Sequence, residues 1–169
     1  MPSPVGHALG ALLVTAPLRA RYRLLGAGVT LAIVAAGTAP DLDLLMGRHS
    51  AETHSLGAAL LTGAFGWMVL RARAAPQPAV MALMLAAAVL SHAAFDWLGT
   101  DTSAPIGIMA LWPFSREYFE SDAHVFMAVS RRYWLEEFWT YNLTVLAREL
   151  LILGIPAAAV EWLVRRRRR

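Results

Sequence analysis

The sequence predicts an all-α protein, a polytopic integral membrane helical bundle of about five membrane segments with an interfacial excursion before the last helix. Three observations point there. Hydrophobic residues make up 57% of the 169-residue chain and its mean hydropathy is +0.49, above the apolar share of an ordinary soluble domain. The apolar residues fall in runs long enough to be helices, and arginine clusters punctuate those runs. All fifteen basic residues are arginine, and they flank apolar segments without interleaving with an aromatic platform. The net charge of +3 therefore reads as a set of topology signals and gives no footprint for nucleic acid. The length suits one membrane-embedded domain, 1–169. With no cysteine, thiolate zinc sites, disulfides and cysteine nucleophiles are excluded.

The first segment runs from about Pro4 to Leu18 and carries His7 near its start. Arg19, Arg21 and Arg23 follow this apolar run instead of preceding it, unlike a cleaved signal peptide, so the segment is expected to be retained. The second covers Leu24 to Gly37. The 17 residues between Arg23 and Asp41 span about 25 Å as a helix against about 30 Å of hydrocarbon, a marginal span. Pro40 is expected to turn the chain, because it cannot extend the helical ladder. The third segment begins at Thr53 or Ser55, either a suitable N-cap, and ends at Arg71 and Arg73. Ala74 to Pro78 forms a hinge.

The fourth segment, Ala79 to Leu98, is the most uniformly apolar and brings His92 and Asp96 near its end. Gly99 to Pro105 reads as a loop. Ile106 to Trp112 is too short to span, and Pro113 to Tyr133 mixes charge and aromatics as an interfacial excursion does. A long C-terminal helix, 134–164, starts near Trp134 with an interruption expected at Gly154 and Pro156, and a basic tail, 165–169, follows.

Placing Arg19 to Arg23, Arg71 to Arg73 and Arg165 to Arg169 on the cytoplasmic side puts ten of the fifteen arginines inside and satisfies the alternation of spans. His7, the stretch from Asp41 to His54, the His92 to Asp96 end of segment four and the acidic excursion then share the opposite, non-cytoplasmic face, with the C-terminus cytoplasmic.

Ionisable groups beside hydrocarbon persist mainly where they function or are well paired. His92 and Asp96 stand at i and i+4 on one helical face, a spacing that suits two ligands of one metal, a ligand with its orienting partner, or a bond bracing two helices. Asp41 and Asp43, just after Pro40, either cap a helix end or reach a common cation. His49 and His54 follow, the second flanked by the hydroxyls of Thr53 and Ser55. His7, alone on a Gly- and Ala-rich helix, is a buried hydrogen-bonded residue or a further ligand. His124 belongs to the surface. Arg148 and Glu149 lie within an apolar helix, where they either serve the site, Arg148 at a substrate phosphate and Glu149 steadying a ligand histidine, or take part in mutual structural neutralisation with neighbouring helices.

His7 with Gly10, Pro40-Asp41-Leu42-Asp43, His49 with Thr53-His54-Ser55, and His92-x-x-x-Asp96 resemble the successive blocks of the YdjM-like family of bacterial inner-membrane, metal-dependent hydrolases. Trp112-Pro113-Phe114 resembles the Pro-Phe segment that follows them. The resemblance covers the motif-bearing part, 5–115, and implies a multi-pass protein of the bacterial inner (cytoplasmic) membrane. Where the family often has Arg-Gly after the first histidine of its third block, this chain has Ser50-Ala51, and Arg48 is the nearby substitute.

The resulting metal set is His7, Asp41, Asp43, His49, His54, His92 and Asp96, with Asp43, Asp96, Arg48 and Glu149 as catalytic candidates. These nitrogen and oxygen donors suit a divalent metal, Zn²⁺ first, with Mn²⁺ or Fe as alternatives. Seven groups exceed the needs of one catalytic ion, so one or two ions are expected, activating a water for phosphoester hydrolysis. A site at the bilayer boundary suits a membrane lipid or lipid-linked substrate. A metal-stabilised structural or regulatory protein and a divalent-cation transporter are the alternative classes.

Overall fold

In a computed structural model that describes residues 1–166, the chain is built of α-helices joined by short helical turns, with no strand among the described residues beyond two isolated bridges. Helix α1 covers Pro4–Arg21. The Ser3 hydroxyl accepts from the Gly6 N–H at 3.2 Å, Pro4 sits in the first turn where no N–H is needed, and Arg19 and Arg21 in the last turn complement the helix dipole. Helix α2 covers Ala27–Thr38.

The expected turn at Pro40 does not occur. The rod continues as a 3₁₀ segment, Ala39–Met46, and ends at Gly47 in the left-handed region, φ 68°. Proline is tolerated because it opens a new segment of tighter pitch, where its missing N–H is not called upon. A second 3₁₀ turn, Glu52–His54, leads into α3, Leu56–Ala72, whose N-cap is Ser55: its hydroxyl accepts from the Ala58 N–H at 3.0 Å. After a turn in which Ala74 and Gln77 both take positive φ, α4 spans Pro78–Trp97.

Residues 98–137 form the excursion, which folds back over the ends of the helices. Its backbone holds the start of α3, where the Leu56 N–H donates to the Ala110 carbonyl at 2.9 Å and Gly57 to Trp112 at 3.0 Å. It also meets the end of α4, where the Ser121 N–H donates to the Trp97 carbonyl at 2.9 Å. The last helix begins at Phe138 and not at Trp134, since Leu135 and Phe138 are still occupied in turn hydrogen bonds. Helix α5, Phe138–Glu149, passes through a π-helical turn, Leu150–Gly154, into α6, Ile155–Arg166. The wider turn absorbs the N–H that Pro156 cannot offer, so the interruption expected there becomes a bulge in one continuous rod. Arg165 and Arg166 close α6, and the remainder of the basic tail, 167–169, lies outside the described residues.

Helix α4 is central. It packs on α1, α2 and α3, while α1 also packs on α2 and on the α5–α6 rod. Ala11, Leu24, Ile33, Met84 and Ala88 form the buried core of the α1–α2–α4 group. These contacts are close because the residues at the crossings are small: a Cβ added at Gly37 would lie 2.5 Å from that of Ala11, and one at Gly10 would lie 1.9 Å from the Phe95 ring. Leu31, Leu61, Phe65, Leu83 and Leu151 point outward, the apolar exterior of a bundle solvated by lipid. Among the described residues, three helical stretches are long and apolar enough to cross a membrane, Ala27–Met46, Pro78–Trp97 and Phe138–Val164, and Leu56–Ala72 is a shorter apolar helix.

Candidate metal centre

At the end of the bundle where α1 begins and α4 finishes, five of the sequence-derived residues meet: His7 from α1, Asp41 from the 3₁₀ extension of α2, His54 from the turn before α3, and His92 with Asp96 from α4. Each is delivered by a helix end or a short helical turn, so none depends on a long flexible loop. The i, i+4 pair does face inward: His92 Nε2 lies 3.1 Å from Asp96 Oδ2. The other carboxylate oxygen, Oδ1, is 3.2 Å from His7 Nε2, and His54 Nε2 is 3.3 Å from Oδ2. Asp41 Oδ1 completes the ring, 3.6 Å from His92 Nε2 and 3.8 Å from His54 Nε2. The His7 and His92 rings stack at 3.6 Å, and the His54 ring meets His92 edge-on at 4.7 Å.

These short distances are not hydrogen bonds. His7 Nε2, His92 Nε2 and both Asp96 oxygens are buried and have no hydrogen-bond partner among the described residues. Buried polar atoms are ordinarily satisfied, at a penalty of about 1–3 kcal/mol for each that is not. Unsatisfied atoms brought this close face a shared centre instead of one another, as ligands of a cation do. One ligand atom from each of His7, Asp41, His92 and Asp96 can be chosen so that all lie within 4.8 Å of one another. The residues present fit a metal ion.

The surrounding groups fix which nitrogen faces that centre. His92 Nδ1 is 2.8 Å from the Gly37 carbonyl. A carbonyl only accepts, so Nδ1 carries the proton and Nε2 presents its lone pair inward. Around His54 the same task falls to Thr53 and Asp43: the Thr53 hydroxyl oxygen is 3.0 Å from His54 Nδ1 and Asp43 Oδ2 is 3.4 Å from it. Asp43 is itself anchored by the Ala51 N–H at 3.3 Å and the Thr53 hydroxyl at 3.1 Å, both donating to Oδ2. Asp43 thus lies behind a histidine and orients it. Burial pulls the His54 imidazole down, but the carboxylates of Asp41, Asp43 and Asp96 around it overcome this and raise it to about 9. The carboxylates thus give His54 negatively charged surroundings.

Three sequence-derived candidates stand elsewhere. His49 Nε2 is bound to Asp101, at 3.1 Å from Oδ2, because the turn at Ser50 directs it toward the excursion. Arg48 pairs with Glu52 at 2.7 Å on a half-exposed surface, an ordinary i, i+4 ion pair. Glu149 is buried but faces the start of α1, where its carboxylate accepts the Ser3 N–H at 2.6 Å and the Ser3 hydroxyl. It satisfies helix-start donors and does not reach the cage. Arg148 and His124 are exposed.

The cage is not sealed on every side. The side chains of His7, His92 and Asp96 are inaccessible, whereas that of Asp41 is 30% exposed. Asp41, Asp43 and His54 form one wall of a cavity of about 280 Å³, whose other walls include His49, Asp101, Ser103, Val129 and Arg131. Asp101 escaped the sequence reading. It is the fixed point of this wall, accepting from the backbone N–H groups of Ser103 at 3.0 Å and Gly107 at 2.9 Å as well as holding His49. The only hint was its place in the acidic stretch assigned to the same face.

Comparison with known proteins agrees with the motif blocks. A family model described as YdjM inner membrane protein matches residues 1–160. No curated protein and no solved structure gives a significant match.

Proposed function

We infer, for a chain that belongs to the YdjM inner membrane protein family, a membrane-bound metal-dependent hydrolase acting on a phosphoester of a lipid or lipid-linked substrate. The observation that carries this reading is the asymmetry of the cage. Structural metal sites are closed by protein ligands, and catalytic ones keep a side open to substrate. Here three buried ligands form the floor, and Asp41 stands at the opening onto the cavity.

His7, His92, Asp96 and Asp41 would hold the ion, with His54 beside them. The all-nitrogen and oxygen donor set favours Zn²⁺ and also suits Mn²⁺ or Fe. The four compact ligands serve one ion. A bound ion of this kind supplies Lewis acidity and lowers the pKa of a coordinated water. The chain's own contribution is to hold His92 and His54 in the right tautomer through Gly37 and Asp43, and to keep bulk water from the floor of the site. Asp41 is left facing the substrate side.

The arginine clusters fit five segments with the cage on the non-cytoplasmic side. Helices α1 and α3 both end in arginines, α2 and α4 both finish at the cage, and α6 carries the C-terminal arginines away from it. A non-catalytic, metal-pinned structural protein is the second reading, favoured by the full burial of His7, His92 and Asp96. Transport is less well supported, because the donors gather at one end and do not continue through the bundle.

The test is turnover by the purified full-length protein. Hydrolysis of a phosphodiester such as bis(p-nitrophenyl) phosphate, or of a short-chain phospholipid, is expected to disappear with chelator, return with Zn²⁺ or Mn²⁺, and be absent in His92→Ala. Bound metal with no turnover of any phosphoester would decide for the structural reading.

A further inference from the structure

The cavity beside the cage has a neighbour. A second groove, of about 400 Å³, is lined by Trp134, Leu135, Phe138 and Tyr141, and it shares one wall with the first. Ser103, Val129 and Arg131 belong to both. One compartment faces metal ligands; the other combines these four apolar and aromatic side chains with Ser130, Arg132 and Glu137, and the Arg131 guanidinium stands where the two meet.

Arg131 is available at that junction. Its Nη2 donates to the Ser103 hydroxyl at 3.1 Å, and no carboxylate among the described residues pairs with it. Arg19 and Arg48, by contrast, are paired with Glu161 and Glu52. Asp101, a carboxylate of the cavity wall, is already engaged by His49, Ser103 and Gly107. A guanidinium has five donors in a planar fork that matches phosphate oxygens two at a time. One donor used on Ser103 fixes the side chain and leaves the rest for an anion.

We propose that Arg131, steadied by Ser103, receives the phosphate of a phosphate-bearing lipid whose apolar chain lies in the Trp134–Tyr141 groove. The occupant is a lipid and not a free phosphate because of what borders the groove. Tyr133, Trp134 and Trp139 are largely exposed there, as aromatic side chains are at a bilayer boundary, and the apolar span Phe138–Val164 begins at the same place. A phosphate held at Arg131 stands in the compartment that contains Asp41 and His54. The assignment of this lipid as substrate rests on the hydrolytic reading; its binding at Arg131 does not.

Native mass spectrometry of the full-length protein, released from detergent micelles with dioleoyl phosphatidic acid, tests the site. Dioleoyl phosphatidylcholine, dioleoylglycerol and inorganic phosphate serve as comparison probes. Phosphatidic acid is expected to be retained in preference to all three. Arg131→Ala should weaken that retention about tenfold or more, Arg131→Lys should weaken it less, and metal content should stay unchanged in both. Phe138→Ala should weaken lipid retention without altering the response to inorganic phosphate. Undiminished retention in Arg131→Ala would overturn the proposal. So would displacement of the lipid by an equal concentration of inorganic phosphate. Loss confined to an Arg21→Ala, Arg23→Ala variant would also do so, since those residues line a groove with Pro17 and Leu163, away from the cage. Retention at Arg131 without phosphoester turnover removes the hydrolase and leaves this site standing; turnover of phosphatidic acid with an unaltered KM in Arg131→Ala removes this site alone.

Discussion

Asp96 is the residue on which the cage converges, since its two oxygens meet three different imidazoles within 3.3 Å. Removing it should remove the metal. Asp96→Ala is expected to fall from about one ion per chain to background, measured by inductively coupled plasma mass spectrometry. Asp43 has a different part, because it touches His54 Nδ1 and sits behind that ring. Asp43→Asn should keep metal at saturation and lower affinity roughly 10–100-fold in a competitive chelator titration. That distinction was not visible in the sequence, which made both Asp41 and Asp43 metal candidates and Asp43 the catalytic one. Which of two carboxylates at i, i+2 points inward depends on the 3₁₀ pitch that follows Pro40, and no local pattern announced it. His92 and Asp96 were legible because a helix brings i and i+4 together wherever it lies. The partners of His49 and Glu149 were not: Asp101 is 52 residues from the first and Ser3 is 146 from the second.

Among the elements, α1, α2 and α4 hold the site together through crossings that tolerate no added bulk. Gly37 has two tasks at once. Its missing side chain lets α2 lie against Ala11, and its carbonyl orients His92. Gly37→Val should therefore destabilise the bundle by about 1–3 kcal/mol, the usual range for overpacking, and should weaken metal binding as well. Thermal unfolding in detergent checks the first effect and chelator competition the second. Helix limits could be read from arginines, caps and apolar runs to within a few residues. The exceptions were both at prolines: Pro40 and Pro156 were expected to interrupt their helices, and each is accommodated by a change of helical pitch. A proline forbids one hydrogen bond, and whether the chain turns or only rewinds is decided by what the rest of the helix packs against.

Across the whole molecule, every candidate ligand lies at one end of the bundle, as arginine counting had suggested from the sequence. Packing order was a separate matter, since nothing local identified α4 as the central helix or placed the α5–α6 rod on α1. The proposed sidedness makes a direct prediction. Reporter fusions after Leu56 and after Arg73 should report opposite sides of the membrane, and the same side for both would break it. One contact described above also bears on how the protein is made. Glu149 binds Ser3, so the helix that carries His7 is fastened by a residue translated near the end of synthesis. A ribosome that stalls before α5 releases a product whose first helix lacks that fastening. The placement of His7 at the cage is thereby completed only once α5 has been made.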